Sequence, residues 1–138
     1  MSGKDVLPLI EGGKGIAISS GVSSGAWAKA GGIGTFSGVN ADSYDEKGNI
    51  IPQVYKEKTR NLRHKELVEY SVSGAIEQAK IARDIAGNDA AIHVNILWEM
   101  GAAETILSRT LEKASGIIDG VTCGAGMPYK LSEISASY

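Results

Sequence analysis

Apolar positions along the chain fall into short clusters separated by glycine and polar punctuation. Leu7, Leu9 and Ile10, then Ile16, Ala17 and Ile18, predict a short strand region interrupted by Glu11-Gly12-Gly13-Lys14-Gly15. Ser19 to Ser24 offers several N-caps for a helix over about 23–30, and Gly31-Gly32 suits its end. Ile33 to Ser37 predicts a second strand. Residues 40–52 carry Asn40, Asp42, Ser43, Asp45, Gly48, Asn49 and Pro52, which read as a long loop. The basic run from Arg60 to Lys65 leads into a helix.

That helix, over about 65–86, has the clearest period. Val68, Val72, Ala75, Ile76, Ala79, Ala82 and Ala86 recur at three- and four-residue steps and form one apolar stripe, stopped by Gly87-Asn88. Residues 90–97 predict a third strand. Alternation there puts His93, Asn95 and Leu97 on one face and Ile92, Val94 and Ile96 on the other. A helix over 102–114 buries Ile106, Leu107 and Leu111. A fourth strand over 117–123 runs into Gly124-Ala125-Gly126-Met127-Pro128, and a last helix begins near 129–133.

The predicted order is β-α-β-α-β-α-β-(α). Strands alternating with helices imply a parallel sheet, because parallel neighbours need crossover connections. A dinucleotide-binding reading fails on order. Gly32-Ile33-Gly34 follows a helix and opens a strand, whereas that fingerprint needs strand, glycines, helix. No Gly-Lys-Ser/Thr occurs, so there is no phosphate loop of that type.

Composition narrows the class further. With 43% hydrophobic residues, 22% charged residues and a net charge of -2, the 138-residue chain reads as one globular domain, neither disordered nor a basic nucleic-acid binder. Its 18 glycines are in excess and cluster in 12–38 and 116–126. The single Cys123 excludes an internal disulfide and suits a reducing compartment. No apolar run spans a membrane and the N-terminus lacks a signal-peptide core, so a cytoplasmic location is expected. The glycine groups after strands one and four, and Asn95 late in strand three, all lie toward carboxyl ends of parallel strands, where a (β/α)8 barrel binds its ligands.

Those segments resemble the nitronate monooxygenases, formerly 2-nitropropane dioxygenases. Leu7-Pro8-Leu9-Ile10-Glu11-Gly12-Gly13-Lys14-Gly15 is similar to that family's opening Pro-Ile-(Ile/Phe)-Gln-Gly-Gly-Met-Gly. Ala28-Lys29-Ala30-Gly31-Gly32-Ile33-Gly34 resembles its Ser-x-Ala-Gly-Gly-Leu-Gly segment. His93-Val94-Asn95-Ile96-Leu97 looks like its Gly-Val-Asn-(Ile/Leu) strand, and Val121 to Pro128 resembles its Gly-Ala-Gly-x-Pro signature. Flavin-dependent enoyl reductases of fatty-acid synthesis share all four.

The resemblance implies a partial (β/α)8 TIM barrel of about four β/α units over 1–138, with an excursion at about 40–65. It implies noncovalent FMN: Gly13, Lys14 and Gly15 against the isoalloxazine ring, Asn95 hydrogen-bonded to it, and Gly124, Ala125 and Gly126 lining the pocket. The implied reaction is oxidation of an alkyl nitronate with O2. Lys14 stands where relatives carry Met. The family's catalytic histidine and FMN-phosphate loops come later than Tyr138, so no catalytic residue is assigned.

A whole barrel takes roughly 200 to 250 residues, so a truncated or split product is expected. It would be inactive alone and would pair with a second copy or a second half-barrel fragment. Alternatives are an enoyl reductase fragment and a noncatalytic assembly or binding module. Residue by residue, His93 reads as a satisfied interior histidine, His64 and Arg60-Arg63-Lys65 as solvated surface, and Cys123 as a packed small residue. Asn95 is the residue whose burial demands a partner.

Overall fold

The computed structural model describes residues 3–138; Met1 and Ser2 lie outside the described residues. Its elements run α1 Gly21–Lys29, β1 Ile33–Ser37, α2 Arg60–Ala86, β2 Ala91–Leu97, α3 Ala103–Lys113, β3 Gly120–Gly124 and α4 Leu131–Ser135. The three strands form a parallel sheet in the order β1-β2-β3. Consecutive strands are thus neighbours, with α2 and α3 as the crossovers.

Local chemistry sets the boundaries. Of the candidate caps, Ser20 is the one that caps α1, which starts at Gly21. Its hydroxyl accepts from Ser23 N, and the Ser23 hydroxyl in turn accepts from Ser20 N. Thr59 caps α2, which starts at Arg60, five residues before the apolar stripe predicts. Gly87 ends α2 at φ 83°.

The first predicted strand is corrected. Residues 7–18 contain only an isolated parallel bridge, Ile10 to Ile33. Ile33 N donates to Leu9 O and Glu11 N to Ile33 O, so one rung forms beside β1. The chain then leaves the sheet at Gly12, and Ile16 and Ala17 take left-handed backbone (φ 53° and 59°), which no strand accommodates. The fourth predicted strand begins at Gly120 rather than Ile117, because Ile117 lies in the turn that follows α3 and Ile118 and Asp119 lead out of it before the strand starts.

The core lies between the sheet and α2 and α3. Phe36, Ile92, Val94 and Ile96 are fully buried against Val72, Ala75, Ala79, Ile106 and Leu107. Alanines and glycines on the helices bring backbones close. A Cβ on Gly25 of α1 would lie 2.8 Å from both Ala82 O and Ile85 Cβ of α2. At the amino end of the sheet, Asp119 Oδ2 accepts from Arg83 Nη2 (2.7 Å) and Ile92 N (2.9 Å), and its Oδ1 from Lys4 Nζ (2.7 Å). Arg83 also donates to Ala90 O and Ile117 O. This clamp ties α2 and the leading ends of β2 and β3 together. Among the described residues no helix is long and apolar enough to cross a membrane.

Candidate functional site

The sheet has two unlike faces. The helix-facing side carries Phe36, Ile92, Val94 and Ile96. Register puts Thr35 beside His93, Ser37 beside Asn95, and Asn95 beside Thr122 on the other side. Thr35, Ser37, His93 and Asn95 are buried and Thr122 is half-buried. A polar face of this kind is costly unless it finds partners.

Some partners come from residues 11–19, which fold across the carboxyl end of β1. Ser37 N donates to Ser19 O. Ser19, itself buried, ties down the glycine loop: its hydroxyl accepts from Lys14 N at 3.0 Å and donates to Gly12 O at 3.4 Å, while Ser19 N donates to Lys14 O. The Glu11 carboxylate accepts from Thr35 N at 2.9 Å, extending the single rung beside β1. The pattern of apolar positions gave no weight to Ser19 or Glu11. Ser19 stood in a run of candidate caps and Glu11 at a break in a strand, and only the folded-back loop reveals that both position it.

Asn95 is the centre of the arrangement. It is 6% exposed, and its side-chain amide makes no hydrogen bond among the described residues. Gly13 lies directly on it: a Cβ there would collide with Asn95 Cβ and Cγ and stand 2.9 Å from Oδ1. From the other side, a Cβ on Gly124 would lie 3.7 Å from the same Oδ1. Gly13, Asn95 and Gly124 therefore meet at one place, at the carboxyl ends of β2 and β3. Gly12 and Gly15 flank it with open space where a Cβ would be.

Past Gly124 the chain turns sharply. Ala125 (φ 49°) and Gly126 (φ 84°) take left-handed backbone, and the turn packs on the loop after β2. Trp98 N donates to Gly124 O, and a Cβ on Gly126 would lie 2.8 Å from Glu99 Cγ. Ala125 and Gly126 are exposed at the rim rather than at the amide itself. The main-chain N–H groups of Gly13, Gly15, Ala125 and Gly126 donate to nothing among the described residues. Lys14 is exposed on the same loop.

His93 sits one layer below Asn95. Its ring packs against Gly120, where a Cβ would collide with Nε2, and its Nδ1 is 3.4 Å from Thr122 Oγ1. Burial holds its pKa below the ordinary histidine range, although the Asp119 carboxylate pulls the other way. His93 is thus a neutral interior histidine. It lies beneath the meeting point of Gly13, Asn95 and Gly124, a layer below the Asn95 amide.

The combination can bind. One buried amide offers a donor and an acceptor, and several unpaired N–H groups stand at glycine-lined backbone that a flat molecule can approach. Glu11 is engaged with main chain and His93 is a layer down, so we assign no catalytic residue. The cavities described lie elsewhere. One of about 320 Å³ opens at the amino end of β3 beside Asp119 and Tyr138, and one of about 480 Å³ lies between Tyr55 and the start of α2. No protein-family model matches the chain, and no curated protein matches it.

Proposed function

We propose that the chain is the first part of an FMN-binding (β/α) barrel related to the nitronate monooxygenases, and that FMN sits with its ring edge on Asn95. The observation that carries this reading is the convergence of Gly13, Asn95 and Gly124 at the carboxyl ends of parallel strands, where such folds bind ligands. The order β1-β2-β3 with helical crossovers, and the extra rung at Ile10, support this reading because they fit the start of such a barrel. Pairing of the half-exposed strand β3 with further strands, from a second copy or a second half-barrel, completes the proposal.

The residues present fit the ring system of such a cofactor. The Asn95 amide is buried, unpartnered and bidentate, which suits the alternating N–H and C=O edge of a flavin. Gly13, Lys14 and Gly15 would present main chain to one face of the ring, held by Ser19. Gly124, Ala125 and Gly126 would border it. FMN, when bound, supplies two-electron oxidation of an alkyl nitronate and the subsequent encounter with O2. This chain's residues would orient the ring and exclude water from its edge.

Quenching of FMN fluorescence on addition of the chain tests the reading. Saturable quenching is expected, weakened at least about tenfold in Asn95→Leu, a loss of about 1.4 kcal/mol. The variant should keep its fold, because a buried amide without partners costs about 1–3 kcal/mol that leucine avoids. Identical curves for the two proteins would remove the basis of the proposal.

A further inference from the structure

The start of α2 carries a second candidate site, which goes beyond the flavin reading and does not need it. At 27 residues α2 is about 40 Å long, whereas the seven residues of β2 span about 23 Å. The first buried residue of α2 is Val68. Residues 60–67 thus overrun the sheet at its carboxyl end. A Cβ on Gly101, in the loop after β2, would lie 3.5 Å from the His64 ring, which fixes that end.

A strap of chain, residues 53–57, is bound along this overhang. The Tyr70 hydroxyl accepts from Val54 N and donates to Val54 O. The Glu66 carboxylate accepts from Lys56 N and Glu57 N. Tyr55 stacks edge-on with Tyr70 at 5.8 Å between centroids. Between strap and helix lies an open groove of about 480 Å³, lined by Tyr55, Arg60, Asn61, Arg63, His64 and Leu67. Apart from half-buried Leu67 these residues are exposed, so the groove is open to solvent and its polar groups face water. Arg63 Nε donates to Glu57 O at 2.6 Å, which aims the guanidinium and leaves its terminal N–H groups unbonded. The side chains of Arg60, Asn61 and His64 make no hydrogen bond or ion pair among the described residues. The lining is on the flank of the helix over two turns, with Tyr55 and Leu67 as an apolar wall.

We infer that this groove binds the phosphate monoester of a small organic molecule. Two guanidiniums without carboxylate partners match a dianion, and their forked N–H geometry suits phosphate oxygens. Asn61 and His64 add donors, and the Tyr55–Leu67 wall accommodates an aromatic or aliphatic body. A carboxylate would neutralise only one of the two cations.

The test is a titration of the isotopically labelled chain with phenyl phosphate, inorganic phosphate and benzoate, followed by nuclear magnetic resonance. Phenyl phosphate is expected to shift the Arg63 Nε–H and the main-chain amides of residues 60–64 saturably. Inorganic phosphate should act at the same residues more weakly, and benzoate at least about tenfold more weakly. Arg60→Gln with Arg63→Gln should weaken phenyl phosphate at least about tenfold. Arg60→Gln alone, at a side chain that makes no hydrogen bond or ion pair among the described residues, should weaken it in a protein whose other amides are unmoved. Absence of saturable shifts at residues 60–64, equal affinity for benzoate, or an unchanged affinity in both variants would overturn the inference.

Discussion

Asn95 and Gly13 form one unit, and each explains the other. The backbone of residue 13 can rest on the amide only because it lacks a Cβ, while Gly12 and Gly15 face open space. Stability and binding should therefore separate among these glycines. Gly13→Ala forces a collision with Asn95 and should cost about 1–3 kcal/mol. Gly15→Ala, at ordinary backbone angles with nothing nearby, should change stability by less than about 0.5 kcal/mol but, on the proposed function, weaken flavin binding, since its methyl would stand where the proposal puts the ring. Urea unfolding of both variants beside flavin titrations checks this. Equal stability losses at positions 13 and 15 would contradict the geometry. The sequence made this site legible through residue type alone: a short amide inside an apolar strand, and glycines at strand ends. It did not disclose Ser19 or Glu11, because their roles depend on a loop folding back over β1, and no local spacing encodes that.

Among the elements, the long helix and strands β1 and β2 were readable because their residue pattern and burial agree. The stripe from Val68 to Ala86 is the face of α2 that covers the sheet, and the alternation in β2 separates Ile92, Val94 and Ile96 from His93 and Asn95 as expected. The first strand was not readable in the same way. Leu7, Leu9, Ile10, Ile16 and Ile18 have strand-like residue types yet remain largely exposed, with Ile16 and Ile18 at 68%. One rung to β1 is all they form, since one-sided pairing supplies little burial to offset ordering the chain. Close packing of α1 on α2 was also invisible, since glycines in a helix read as weakness. Gly25 shows what they do. Gly25→Ala would gain about 1 kcal/mol in helix propensity, but its methyl meets the main chain of Ala82, which cannot yield as a side chain can. Overpacking of about 1–3 kcal/mol should win. A lower thermal midpoint is expected, and a raised one would show that α1 shifts at no cost.

At the scale of the molecule, the two ends of the sheet divide labour. The amino end is clamped by charge and the carboxyl end is left open with unpaired donors. The clamp predicts the response to acid. Burial works to raise the pKa of Asp119, but hydrogen bonds from Lys4, Ile92 N and Arg83, with the Arg83 charge, outweigh it and hold it below the usual carboxylate range. The unfolded chain therefore takes up the proton first. The contribution is complete above the unfolded value of about 4 and disappears as pH falls through the folded one. His93 acts earlier. Its folded pKa is lowered, so stability is complete above about 6.5 and declines as pH falls below that, as the unfolded histidine binds a proton that the folded one refuses. Urea midpoints against pH should thus show two falling limbs. His93→Gln should remove the upper limb. Asp119→Asn should lower stability at neutral pH by about 2 kcal/mol and flatten the lower limb. Midpoints independent of pH between 7 and 3 would exclude both assignments.

The central claim is that a planar heterocycle binds where Gly13, Asn95 and Gly124 meet. Titrating the isotopically labelled chain with lumiflavin, the ring system without its phosphate tail, addresses it directly. The account predicts saturable shifts of the Asn95 side-chain amide and of the main-chain amides of Gly13, Lys14, Gly15 and residues 124–126, with residues around Asp119 unmoved. Shifts confined to other surfaces, or an Asn95 amide indifferent to saturating lumiflavin, would contradict it.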